Sequence, residues 1–256
     1  MGRLHEYFLN NSGRIIYKHA HYFDAYERHF SRFEGKPINF LEIGAGEGGS
    51  SAMWRDYFGP NANILVLDIR KDRVEVVDGA TKFYAGSQTD PAVLEKIVGE
   101  FGPLDVVLDD GSHIMNHMIT TFELLYPTMK PNGVYMIEDV ACSYSDRFDG
   151  GYRRDGTIVE YTKDLIDRLH LINVKDKSPE PDWFTLSTHS INIYDGIITF
   201  ERRPKAAPQS MTTAGFPRLG DRPVLPSTLD TYRNRKKENS EKDARIRRRN
   251  RDSKRG

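Results

Sequence analysis

Along most of the chain, short apolar runs alternate with longer segments of helical period. The runs INFLEI (Ile38 to Ile43), ILVLDI (Ile64 to Ile69), KFYA (Lys82 to Ala85), LDVVL (Leu104 to Leu108) and GVYMI (Gly133 to Ile137) have the length and side-chain content of strands. Between them, Asp90 to Phe101 reads as a helix with Asp90 as its N-cap and Pro91 at its first position. Met115 to Met129 reads as another, closed by Pro131, Asn132 and Gly133. Such alternation predicts a parallel sheet flanked by helices. Ahead of it, Tyr22, Phe23, Tyr26, Phe30 and Phe33 fall on one helical face, which predicts a packed aromatic stripe. A second reading of that region lets Lys18, His21 or Tyr22 reach a ligand's carboxylate.

Beyond the fifth run, residues 141–157 are rich in Gly, Ser, Asp and Tyr without periodicity, the composition of a long functional loop. A helical pattern resumes from Ile158 to Leu171. SINIYDGIITFERR then sets two apolar runs around Asp195-Gly196, a hairpin signal that leaves the last strand antiparallel to the one before it.

Length and charge sharpen the division. The 256 residues suffice for one sizeable α/β domain, expected over residues 1–203 with an N-terminal helical cap. Residues 204–256 are expected to be a largely disordered basic tail: from Arg233 to Gly256 there are twelve Lys or Arg against four Asp or Glu. Acidic residues mixed into that tail, and the lack of aromatic residues beyond Tyr232, argue against a nucleic-acid site. The single cysteine, Cys142, forms no intrachain disulfide, and neither a secretory signal nor a membrane-spanning run is evident, so a reducing, cytoplasmic setting is expected.

Candidate chemistry begins directly after the first predicted strand. In EIGAGEGGS, Gly44, Gly46 and Gly49 satisfy the spacing of a loop that brings backbone close to a ligand at a helix start. Asp68, at the end of the second strand, is placed to bind both ribose hydroxyls of an adenosine. The bland alternative is that the glycines shape a turn and Asp68 caps a helix. Glu42 and Glu47 disfavour a pyrophosphate and favour a cationic cofactor, with Glu42 supporting the amino end of S-adenosylmethionine. Gln88, in AGSQ, offers a donor and an acceptor to a base edge, or simply leads a helix.

The segments LDDGSH and IEDV then deliver Asp109, Asp110, Glu138 and Asp139 to the edge where open parallel sheets bind ligands. Unpaired, these carboxylates would repel one another, and a hard divalent cation such as Mg²⁺ would relieve them. Since neighbouring strand residues face opposite ways, Asp110 is the better ligand, and Asp109 is assigned to orienting the cofactor or its loop. Glu138 and Asp139 both stay open as ligands. His113 is suited to proton removal near neutral pH, or to capping the helix behind it. His117 could pair with it on zinc, but the carboxylates favour a harder metal.

These motifs, in this order and with the closing hairpin, resemble the class I S-adenosylmethionine-dependent methyltransferases. More narrowly they resemble the metal-dependent sugar O-methyltransferases of natural-product pathways, of the mycinamicin, demethylmacrocin and rhamnosyl type, some of whose relatives carry the label cephalosporin hydroxylase. The resemblance implies a doubly wound, Rossmann-like α/β fold with a seven-stranded sheet whose last strand is antiparallel. It implies Mg²⁺ on Asp110, Glu138 and Asp139, with His113 as general base. The expected activity is methyl transfer to a hydroxyl of a small-molecule sugar or glycoside, with homo-oligomerisation left open. The competing readings are a catechol-type methyltransferase, a nicotinamide-dependent oxidoreductase, which Glu42 and Glu47 disfavour, and a non-catalytic cofactor-binding module.

Overall fold

The computed structural model describes residues 2–174 and 180–205. The expected basic tail lies outside them, apart from its first two residues. Contacts divide the chain into a unit of residues 1–204 and a second unit from Lys205 onward. The first unit holds every strand and helix found among the described residues.

Seven strands form one sheet: β1 (Asn39–Ile43), β2 (Asn63–Asp68), β3 (Lys82–Ala85), β4 (Val106–Asp109), β5 (Val134–Ile137), β6 (Thr188–Tyr194) and β7 (Ile197–Arg202). Their order is β3-β2-β1-β4-β5-β7-β6. The first five are mutually parallel, whereas β7 runs antiparallel to β5 and to β6. Asp195 and Gly196 make the hairpin turn, Gly196 with φ 77°. The helices are α1 (Arg3–Leu9), α2 (Tyr22–Phe30), α3 (Gly49–Phe58), α4 (Pro91–Phe101), α5 (Met115–Leu125), α6 (Ile158–His170) and α7 (Trp183–Ser187). Asp90 caps α4, its side chain accepting from the Ala92 N–H.

The parallel strands are buried on both faces, and alternation along each strand divides their side chains between two cores. Leu41, Ile43, Val107, Tyr135 and Ile137 pack with Leu94, Phe122 and Leu165 from α4, α5 and α6. Phe40, Ile64, Val106, Leu108, Val134 and Met136 pack with Tyr26, Phe30 and Trp54 from α2 and α3. The aromatic stripe belongs to this second core: Trp54 sits 5.4 Å from Tyr26 and 5.2 Å from Phe40, centroid to centroid. Each such buried ring contributes roughly 2–3 kcal/mol of burial free energy. No helix among the described residues is long and apolar enough to cross a membrane.

Strand order reverses between β1 and β4, the place where open α/β sheets take ligands. The chain reaches that edge from an unexpected direction. Residues 10–21, between α1 and α2, form no regular element and run across the start of α3, where a side chain at Gly49 would meet the Arg14 and Ile15 carbonyls at 2.5 and 2.6 Å. Arg14 secures this strap through Asp78, 2.9 Å away.

Candidate active site

Beyond the ends of β1, β2 and β3 lies a cavity of about 360 Å³ lined by Gly44, Asp68, Gly86, Ser87, Gln88, Gly111, Ser112 and His117, among others. Gly44 (φ 94°) has no room for a side chain, since a Cβ there would collide with the Asp110 carbonyl. The loop after β1 is therefore pressed against the loop after β4. Asp68 holds the cavity wall by accepting from the Ala45 N–H at 2.9 Å and the Arg70 N–H at 2.8 Å, leaving each oxygen a further lone pair.

Strand alternation decides where the other acids go. Glu42 shares the face of Phe40, so it points beneath α3, where Trp54 Nε1 (2.9 Å) and Ser50 Oγ (2.8 Å) donate to its two oxygens. It is 1 % exposed and does not line the cavity; burial raises its pKa against those donors and Lys18. Asp109 shares the face of Val107 and is fully buried, accepting from Tyr135 Oη (3.1 Å), Gln88 Nε2 (3.1 Å) and the Gly111 N–H. Burial pushes it up to about 7. Of the two roles offered to it, cofactor or loop, the contacts are with the loop. Gln88 lines the cavity, but its amide is engaged by Asp109, Thr121 and the Ser112 N–H rather than open to a base edge.

Asp110, His113 and Asp139 come together at the adjacent edge. Each offers an atom within 4.8 Å of the others. His113 Nε2 stands 3.9 Å from Asp110 Oδ1 and 3.6 Å from Asp139 Oδ2, while its Nδ1 is buried without a hydrogen-bond partner. His113 (φ 58°) and Asp139 (φ 53°) both adopt the left-handed backbone region, a strain of about 1–3 kcal/mol that concentrates at functional sites. Phe148, from the 141–157 loop, packs edge-on against the imidazole at 6.0 Å. Tyr22 Oη donates to Asp139 Oδ1 at 2.7 Å.

Glu138, which the resemblance implies as a metal ligand, has both oxygens in hydrogen bonds: Tyr26 Oη donates to one at 2.6 Å and Lys18 Nζ to the other at 2.9 Å. It shares the face of Met136, which turns it toward α2 and the strap rather than toward Asp139. Lys18, a candidate for a ligand's carboxylate, instead bridges Glu138 and Asp110 Oδ2, the latter at 2.5 Å, with 3 % of its side chain exposed. Burial alone would lower the Lys18 pKa, but Asp110 and Glu138 outweigh it and hold the ammonium protonated. Burial, then Asp110, pushes Glu138 upward, and Lys18 and Tyr26 oppose this. Lys18 is thus a counter-charge shared by Asp110 and Glu138. The sequence signal is a lysine in YKHAHY, immediately ahead of an aromatic helix. His117 stands apart from the cluster, its Nδ1 2.8 Å from Ser112 Oγ at the cavity wall.

The donor set fits a divalent cation. Asp110 Oδ1 and Asp139 Oδ2 both face His113 Nε2 with no hydrogen bond to it, which leaves carboxylate oxygens for an ion and an imidazole nitrogen beside them.

A seven-stranded sheet in this order, with its last strand antiparallel and the glycine loop and acidic edge at the switch point, is the class I methyltransferase fold. The chain is 34 % identical over 197 residues to the 8-demethyl-8-alpha-L-rhamnosyl tetracenomycin-C 2'-O-methyltransferase of Streptomyces olivaceus, covering 71 % of this chain and 50 % of that protein. It is 33 % identical over 188 residues to the mycinamicin VI 2''-O-methyltransferase of Micromonospora griseorubida, covering 69 % and 47 %. Among solved structures, the MycE methyltransferase of the mycinamycin pathway, in complex with Mg, SAH and mycinamycin VI, superposes with a TM-score of 0.68 at 29 % identity, over 78 % of this chain and 53 % of that one. The chain belongs to the class I methyltransferase family that includes these sugar O-methyltransferases. It spans about half the length of the curated relatives it matches. No protein-family model matches it.

Proposed function

We propose that the chain is an S-adenosylmethionine-dependent O-methyltransferase that uses Mg²⁺ and acts on a hydroxyl of a sugar or glycosylated natural product. One observation carries this reading: the Asp110, His113 and Asp139 cluster adjoins the cavity beside Asp68, because Gly111 and Ser112, which line the cavity, stand between Asp110 and His113 in the chain. A donor in the cavity therefore lies next to an acceptor at the cluster. When bound, the cofactor supplies an electrophilic sulfonium methyl, and the ion supplies positive charge that eases loss of a hydroxyl proton. Asp110, Glu138 and Asp139 would hold the ion.

The chain's own groups do the rest. Asp68 keeps lone pairs for ribose hydroxyls, and Gly44, on the cavity wall, presents backbone to the cofactor. His113, in its neutral form, receives the hydroxyl proton at Nε2 as the oxygen attacks the methyl carbon in line and the carbon–sulfur bond breaks. Holding the two reactants in line contributes about 7–11 kcal/mol, so no covalent enzyme intermediate is needed. Tyr144 and Tyr152, exposed on the 141–157 loop with ring centroids 6.4 Å apart, offer the acceptor an aromatic surface.

The test is transfer of a labelled methyl group across a panel of glycosides and dihydroxyaromatics, read by mass spectrometry. Glycosides should gain one CH₂ unit, a chelator should abolish transfer, and Mg²⁺ should restore it. Transfer to dihydroxyaromatics alone would reassign the acceptor to the catechol type. Full turnover after chelation would remove the ion from the reaction.

A further inference from the structure

We propose that an apolar groove beside the acidic cluster holds the aglycone of a glycoside acceptor, so that the protein selects sugars attached to an apolar group over free sugars. The inference rests on the reading of the cluster as the acceptor's end of the reaction. Because β7 runs antiparallel to β5, with Ile198 opposite Ile137, the hairpin turn ahead of β7 comes up at the same edge as Asp139. There Val140 donates its N–H to the Gly196 carbonyl at 3.0 Å. Tyr22 Oη, which donates to Asp139, lies so close to Gly196 that a side chain there would collide with it. Val140 and Gly196 both line the groove, so one end of it is built onto a residue of the cluster.

The groove encloses about 230 Å³ and its lining is mainly apolar. Val159, Thr162, Lys163 and Ile166 of α6 recur there at i, i+3, i+4 and i+7, a stripe beside Ile158 and Leu165, which face the core. β6 and β7 contribute Ile193 and Ile198, and the 141–157 loop contributes Tyr144. Tyr144, Ile166 and Ile193 stay exposed, Ile193 by 63 %, and covering them with an apolar ligand is favourable. Sites for a whole drug-sized ligand run to about 300–1,000 Å³, so this one takes part of a molecule whose remainder lies elsewhere. Strand order says where. The cofactor cavity lies beyond β1, β2 and β3, the cluster beyond β4 and β5, and the groove beyond β5 and the hairpin. An acceptor with its hydroxyl at the cluster has the methyl donor on one side, and its bulk falls on the other.

The experiment is calorimetric titration of the full-length chain with methyl glucoside and with octyl glucoside below its micelle concentration, which needs no turnover. Each buried CH₂ strengthens binding by about fourfold, so octyl glucoside should bind tighter by about tenfold or more. Ile193→Glu and Ile166→Glu place charge in the groove at exposed positions and spare the core, and in them that ratio should fall below about twofold. The same ratio should appear in KM for methyl transfer, read with the methyl and octyl glycosides of whichever sugar the glycoside panel selects. Equal binding of the two glucosides by the native chain, or an unchanged ratio in both folded variants, overturns the proposal and leaves the methyltransferase reading standing. A native dimer that Ile193→Glu dissociates would assign the groove to a second copy of the chain and overturns it too. Transfer to no glycoside, with the octyl preference intact, overturns the acceptor reading and the aglycone role with it.

Discussion

The two ends of the parallel strands handle charge in opposite ways. At the end where the strands begin, every named acid is matched. Glu201 accepts from Arg32 at 2.8 Å and contacts His29 at 3.0 Å, and Asp105 accepts from Lys130 at 2.7 Å and from the Asn39 N–H at 2.8 Å. At the end where the strands finish, Asp110, Glu138 and Asp139 share Lys18 and two tyrosine hydroxyls, and Asp110 and Asp139 keep oxygens facing an imidazole. The first arrangement ties elements together; the second holds unspent acceptors ready for a ligand. Stability and chemistry are thereby allotted to opposite edges of one sheet.

That contrast can be broken from either end. The largest effect is expected for Asp110→Ala, which should lower methyl transfer by about 10³-fold or more while stability changes by less than about 1 kcal/mol, since Lys18 keeps Glu138. Labelled transfer and calorimetry read the two quantities separately. His113→Gly should lower turnover by about 10²-fold with cofactor binding retained, and should raise stability by about 0.5–1 kcal/mol by relieving the left-handed backbone. A melt that falls instead would mean that the position carries no strain.

At the other edge, Glu201→Gln should leave transfer unchanged and cost about 1–2 kcal/mol near neutral pH, after discounting for partial exposure. Burial alone would raise the Glu201 pKa, but Arg32 and His29 outweigh it and hold it at about 2 against an ordinary 4.5. Its folded pKa is depressed, so its contribution is complete above pH 4.5 and is lost as pH falls from there toward 2. Denaturation of the two proteins should therefore converge across that window. The smallest effect is expected for Lys130→Met: this pair is partly open to water, and breaking it should cost under about 1 kcal/mol by urea titration.

Much of the sheet is legible in the sequence because its signals are local. The first five strands, the Asp90 cap and the Asp195-Gly196 turn follow from residues within a few positions of one another. The closeness of Asp110 to Asp139 also follows, since both stand just past the ends of adjacent parallel strands. The illegible part depends on contacts across the whole domain. Lys18 meets Asp110 across 92 positions and Glu138 across 120, and no periodicity encodes such a meeting. Alternation separates Asp109 from Asp110, and it acts equally on Glu42 and Glu138. It sends both toward the α2 and α3 side, but only the folded chain reveals that Trp54 and Tyr26 wait there. His113 and Asp139 are both of types that tolerate positive φ, but nothing local marks these two positions as the ones that adopt it.

The strap has a practical corollary for dissecting the molecule. An investigator trimming the polypeptide to its regular α/β portion would cut just ahead of Asn39, and the recombinant fragment would retain all seven strands, the glycine loop and every acid at the cluster. It would forfeit the ammonium together with the Tyr22 and Tyr26 hydroxyls, so its mouth would be an uncompensated anionic well. Such a fragment would scavenge stray cations from buffer, and measurements on it would describe a different binding partner from the one the intact polypeptide admits.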